Sequence, residues 1–209
     1  MEQNVQNWSQ TTKNIFNAVL LFSLGSIVAG FISGIATAVG IGNAFNGNDG
    51  VSFADVLSWL LELAVAAGYV LYMLQLGTLR TQVGEKDGAA VGQVRTAAIL
   101  AIVAAILAIF PVLNLLTGIV NIVAYIMMLV GFNTLRKSME LSGKARQGFS
   151  QLFVATLLNI IAVGLSILFG WIPVIGIVIA LIAGILGIIA FIMVITGWST
   201  VKNSPAPIA

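Results

Sequence analysis

Polar residues punctuate this chain at intervals and leave long apolar stretches between them, at about 15–40, 53–79, 89–110, 112–135, 149–170 and 172–201. Each stretch far exceeds a buried strand, proline is absent from their interiors, and Leu, Ile, Val, Ala and Gly dominate, so the pattern predicts helices. Each is long enough to cross a hydrocarbon core, which takes roughly 20 residues of helix. The expectation is therefore an all-α, polytopic integral membrane bundle of six transmembrane helices. The third is the weakest, because only fifteen residues separate Arg95 from Pro111. Arg95 then falls in the first turns and must snorkel toward water.

A triplet of Thr, an aliphatic residue and a cation closes the even-numbered stretches: Thr78 to Arg80, Thr134 to Arg136 and Thr200 to Lys202. The segment from Pro111 to Ser138 runs alongside that from Pro173 to Ser204, and Gly92 pairs with Gly148 upstream. This self-similarity predicts an internal repeat of parallel helical hairpins, about 12–80, 89–138 and 147–204, within a single transmembrane domain over 1–209.

Composition agrees with the pattern: 59% hydrophobic residues, 8% charged residues and a mean hydropathy of +1.08 leave too little polar surface to coat a soluble globule. Eight of the nine Lys and Arg residues lie before the first stretch, after the last, or in the second and fourth connections, and the ninth, Arg95, lies in the first turns after the second connection. By the positive-inside rule both ends of the chain are expected in the cytoplasm, in the cytoplasmic (inner) membrane, with Arg80, Arg136 and Lys202 as cytoplasmic anchors. Such cations also complement the negative ends of the helix dipoles. Trp8 and Trp198 are expected at the inner headgroup level and Trp59 and Trp171 at the outer one, while Pro111 and Pro173 start helices after tight outer turns. The small-residue sequence Ala36 to Ala38 looks like a peptidase site, but the apolar run before it is too long for a cleaved leader, so an anchored helix is expected.

The chain has no cysteine and no histidine, which removes the usual ligands and bases of zinc, haem and Ser-His chemistry. No cofactor, metal or catalytic residue is expected, and nothing supports nucleic-acid recognition. The loop at 40–50 fits neither the dinucleotide nor the calcium pattern and reads as a turn. The basic loops are expected to meet anionic lipid.

Polar groups inside the spans are the candidates for function. Glu62 shares a helical stripe with Asp55, Ser58, Ala66 and Tyr69. Counting about 20 residues outward from Leu79 places Glu62 only a turn below the outer boundary. It reads as a carboxylate reaching the headgroups, as a cation or proton site, or as a partner contact. Asn114, Thr117, Asn121 and Tyr125 share one face of the fourth helix and are expected to hydrogen-bond across to neighbours such as Asn159. If they instead line a site, it comprises Glu62, Tyr69, Asn114, Asn121 and Tyr125. Helix-packing stripes of small residues are expected at Ser26, Gly30, Gly34 and Ala38 and at Gly176, Ala180 and Gly184.

This layout of three helical hairpins, with prolines at the outer turns and glycine-rich helices, resembles several families of small prokaryotic membrane proteins, acid-resistance proteins among them. The likeness is of layout and implies no particular residue role. Two function classes follow from the residues. The favoured one is a small non-catalytic component, an accessory subunit, assembly factor or membrane-stress protein, whose small-residue faces bind a membrane protein partner or a second copy. The alternative is a small-solute permease or substrate-capturing transporter subunit, coupled to a cation or proton through Glu62. Whether the polar stripes of the second and fourth helices face one shared cavity discriminates between them.

Overall fold

The structure, a computed structural model, describes residues 2–45, 53–107, 114–169 and 172–207; within its helices the side chains of Glu62 and Asn114, among others, lie outside that description. It is all-helical among the described residues: α1 Glu2–Phe45, α2 Phe53–Arg80, α3 Glu85–Leu107, α4 Asn114–Leu135, α5 Gly143–Phe169 and α6 Pro173–Lys202. All six are long and apolar enough to cross a membrane. The chain is a six-helix, multi-pass membrane bundle.

Three helices begin before their apolar stretches. α1 is helical from Glu2, α3 from Glu85 and α5 from Gly143, because Trp8, Asp87 and Ala145 in these extensions are still buried against neighbours. Local chemistry sets the starts where it is visible. The Ser142 hydroxyl accepts the Ala145 N–H at 3.2 Å and caps α5, and Pro173 opens α6 where a missing donor costs least.

The helices pack in chain order into a closed ring. α1 with α2, α3 with α4 and α5 with α6 form the extensive pairs, and narrower seams join α2 to α3, α4 to α5 and α6 back to α1. Each extensive pair closes around glycine. A Cβ added at Gly68 would meet the Phe22 backbone nitrogen at 2.9 Å, and one at Gly131 the Ala90 carbonyl oxygen at 2.8 Å. Gly148 and Gly197 face each other: a Cβ at Gly148 would meet the Gly197 carbonyl at 2.6 Å, and one at Gly197 the Gly148 carbonyl at 3.0 Å. These contacts pair Gly148 with Ala90, two residues from the Gly92 expected from sequence.

Burial recurs in the same register along the three pairs. Ile15, Val94 and Leu152 are buried at one level of the odd helices; Leu76, Phe132 and Trp198, then Leu79, Leu135 and Val201, at two levels of the even ones. The core lies toward the end that carries the basic residues, and the large apolar side chains beyond it, such as Phe31, Leu60, Val174 and Leu181, are exposed as lipid-facing groups are. Polar bonds latch the basic end. The Trp8 indole N–H donates to the Ser204 carbonyl at 3.2 Å, joining α1 to the chain after α6, and the Gln82 amide donates to the Thr11 hydroxyl at 2.8 Å. Between α3 and the chain after α4, the Ser138 hydroxyl donates to the Asp87 carboxylate.

Burial refines two expectations. Trp8 and Trp198, expected at the inner headgroup level, are 1% and 2% exposed and belong to the core toward the basic end, where each ring fills a junction between hairpins. The small-residue stripe of α6, expected to serve helix packing, is half-buried at Gly176 and open at its other two positions. Ala180 and Gly184 are exposed, a Cβ at Gly184 would meet nothing, and α6 approaches α5 through Gly197 near its other end. Ser26 is likewise exposed, its hydroxyl bonded to the Phe22 carbonyl of its own helix at 2.6 Å. Gly30, Gly34 and Ala38 belong to α1, but their packing lies outside the description, as do the side chains of Trp59 and Thr117 and the whole of Pro111 and Trp171.

Candidate ligand cavity

A ring of six helices closed tightly at one end leaves space above the closure. The floor is aromatic: the Trp198 ring meets Tyr72 at 5.7 Å, Phe149 at 6.0 Å and Phe132 at 6.5 Å between centroids, all edge to face. Four helices each supply one of these rings, so the plug forms only when the ring of helices is complete. Phe22 of α1 continues the layer, stacked on Tyr69 at 4.3 Å and edge-on to Tyr72 at 5.7 Å.

Above this floor lies a cavity of about 1000 Å³, with Trp198, Phe132 and Leu152 at its closed end and Leu63 and Ile106 toward the other. That volume is at the upper end for sites that enclose a drug-sized molecule. Its wall is largely apolar, with Tyr69 from α2, Asn121 and Tyr125 from α4, and Thr156 and Asn159 from α5 as the polar contributors besides Tyr72 and Trp198 of the floor. No charged side chain lines it among the described residues. The Thr156 hydroxyl is already bonded to the Leu152 carbonyl at 2.9 Å. The Tyr69 and Tyr125 hydroxyls and the Asn121 and Asn159 amides have no hydrogen-bond partner among the described residues.

Depth makes this arrangement costly. Tyr69 and Tyr125 each lie ten residues before the leucine that closes the buried face of their helix, Leu79 and Leu135. At 1.5 Å per residue that is about 15 Å, half of a hydrocarbon core about 30 Å thick. Unpaired amides at that depth cost several kcal/mol each unless water or a ligand meets them. The cross-helix bonds expected of Asn121 and Tyr125 are not made to any of the described residues; both groups face the cavity.

Of the sequence-derived site, then, Tyr69, Asn121 and Tyr125 converge on one wall-lined space, and Asn159 joins them. Glu62 belongs to α2 and Asn114 to α4, but their side chains fall outside the described residues. Phe22, Thr156 and Trp198 also line the cavity and carry no sequence signal of doing so: each reads as one apolar or small residue among many. Arg136 and Lys202 sit at the basic end, where each covers an aromatic ring of the next hairpin, Phe153 at 3.8 Å and Phe16 at 4.1 Å. Arg80 also lies at that end, at the last residue of α2.

The fold and this space define a polytopic helical membrane protein with an internal chamber that no charged side chain lines among the described residues. Compared with models of known protein families, with curated proteins and with solved structures, the chain finds no match.

Proposed function

We propose that this protein captures a neutral, largely apolar small molecule in its central cavity, as a small permease or as the substrate-capturing subunit of a transporter, and that it acts by binding without chemistry of its own. The observation that carries this reading is the convergence of four polar side chains without a hydrogen-bond partner among the described residues, Tyr69, Asn121, Tyr125 and Asn159, on one cavity of about 1000 Å³ at mid-membrane depth. Such a wall suits a ligand with an apolar body and two or more hydrogen-bonding groups; a fully charged solute would find no counter-charge among the described residues that line it. The distribution of the cations supports placing the basic end in the cytoplasm, and hence the cavity above its aromatic floor on the outward side of the cytoplasmic membrane. The recurring burial register supports reading the three hairpins as copies of one unit.

A second reading, an accessory subunit that grips other helices, is favoured by the outer face of α6, where Ala180 and Gly184 are exposed and nothing fills the space beside Gly184 or Gly187. The two readings meet in a capturing subunit that docks through α6.

Because the chain has no cysteine of its own, single cysteines test the cavity without a background. Asn121→Cys and Asn159→Cys are expected to react with a small impermeant thiosulfonate added outside intact cells at least about tenfold faster than Ile185→Cys, which faces lipid, where a thiol stays protonated. Lys137→Cys at the basic end is expected not to react until the membrane is opened. Unreactive cavity cysteines would remove the outward-facing site, and a reactive Lys137→Cys in intact cells would reverse the orientation.

A further inference from the structure

The three narrow seams of the ring offer an internal comparison. In each, the cation that ends an even helix lies over the next odd helix. At the α4–α5 seam Arg136 rests on Phe153, and at the α6–α1 seam Lys202 rests on Phe16. Both cations are thereby partnered by an aromatic face. At the α2–α3 seam the corresponding cation is Arg80, but the residue of α3 in the register of Phe16 and Phe153 is Arg95.

The two arginines cross at that seam. A Cβ added at Gly77 of α2 would lie 3.4 Å from the Arg95 guanidinium carbon, and one at Gly92 of α3 would lie 3.7 Å from Arg80 Nε. Each guanidinium thus lies in the gap left by a glycine of the opposite helix. Neither has an ion-pair or hydrogen-bond partner among the described residues, and Arg95 Nε is buried with none. Arg95 stands ten residues into α3, but the helix begins with the exposed Glu85 and Lys86 ahead of the apolar stretch, so its side chain reaches toward the surface at the basic end, where the adjoining hydrocarbon still disfavours an unpaired cation. Two guanidiniums at one seam, with forks built for bidentate oxygen acceptors and no carboxylate among the described residues to receive them, describe half of a binding site.

We propose that Arg80 and Arg95 together hold a phosphate group at the α2–α3 seam, and that its source is the headgroup of an anionic phospholipid in the leaflet at the basic end. The seam lies at the membrane surface, where the phosphates of that leaflet are, and the bundle flank beside it is coated by acyl chains. A bound phosphate supplies the acceptors that Phe16 and Phe153 make unnecessary at the other two seams. It neutralises the arginine pair and ties the second hairpin to the first. The inference is independent of what the central cavity holds.

Thermal unfolding of the purified full chain in detergent tests it, with dioleoyl phosphatidylglycerol, dioleoyl phosphatidylcholine or inorganic phosphate added. Phosphatidylglycerol is expected to raise the unfolding midpoint by about 5 °C more than phosphatidylcholine does. Arg95→Gln and Arg80→Gln should each abolish that difference, while Lys137→Gln, which removes an exposed cation at the same end, should keep it. In phosphatidylcholine alone Arg95→Gln should unfold no lower than the parent, because it removes an unpartnered cation whose Nε is buried. A matching rise with inorganic phosphate, lost in both arginine variants, would uphold the phosphate site and assign it a soluble ligand. Equal effects of the two lipids, or a phosphatidylglycerol effect that survives both substitutions, would overturn the proposal. Arg80 is exposed at a helix end, so Arg80→Gln carries the test by itself if Arg95→Gln fails to fold.

Discussion

Replacing Gly148 by leucine is expected to break the α5–α6 pair. The first atom of the new side chain would stand 2.6 Å from the Gly197 carbonyl oxygen and 2.6 Å from a Val201 methyl, and neither backbone can yield without separating the helices. Overpacking of this kind costs about 3 kcal/mol or more when the obstacle is backbone. The protein should lose its monodisperse peak after extraction, or unfold far below the parent. Gly184→Leu, on the same hairpin, should behave as the parent, because nothing surrounds the position. Equal behaviour of the two variants would mean that α5 and α6 are not in this register.

Trp198→Ala should have the next largest effect. The indole is 2% exposed and touches rings from three other helices, so its loss empties the centre of the plug. Truncations of buried aromatic residues cost about 3–5 kcal/mol, which for a chain of this size lowers the unfolding midpoint by about 10 °C. Trp198→Phe keeps a ring against Tyr72, Phe132 and Phe149 and should recover most of the loss. The alanine variant also joins the cavity to the basic end, so a compound retained by the parent should leak through it. A stable, tight Trp198→Ala protein would contradict the aromatic floor.

Much of this architecture is legible in the sequence. Six apolar stretches give six helices, and the positions of the nine cations bring alternate helix ends together, as the Trp8, Gln82 and Ser138 bonds require. Hydropathy does not mark where the odd helices begin, since Thr11, Thr12 and Asp87 are polar yet buried by contacts with other parts of the chain. Tryptophan position is ambiguous for a related reason. An indole near a helix end is as well placed to fill a junction as to meet headgroups, and only the neighbouring hairpin decides which. Four-residue spacing of small residues says that a face can be approached closely, not that anything approaches it; Gly197 is met and Gly184 is not.

The candidate site is half legible. Tyr69, Asn121 and Tyr125 stand out as polar groups at membrane depth, and their helical spacing puts each on a definable face. That they share one space with Asn159 follows from the ring order, which single-helix patterns do not encode. The crossed arginines are the reverse case: Arg80 and Arg95 are conspicuous as cations, but their pairing appears only when α2 and α3 are laid side by side.

The central claim, that the cavity holds a neutral small molecule through its polar side chains, is tested most directly by native mass spectrometry of the gently extracted protein. The parent should carry one small uncharged molecule per chain, and Asn121→Leu/Asn159→Leu, which leaves the helices and the floor intact, should lose it. A parent that carries no such molecule, or a double variant that retains it, would contradict the account.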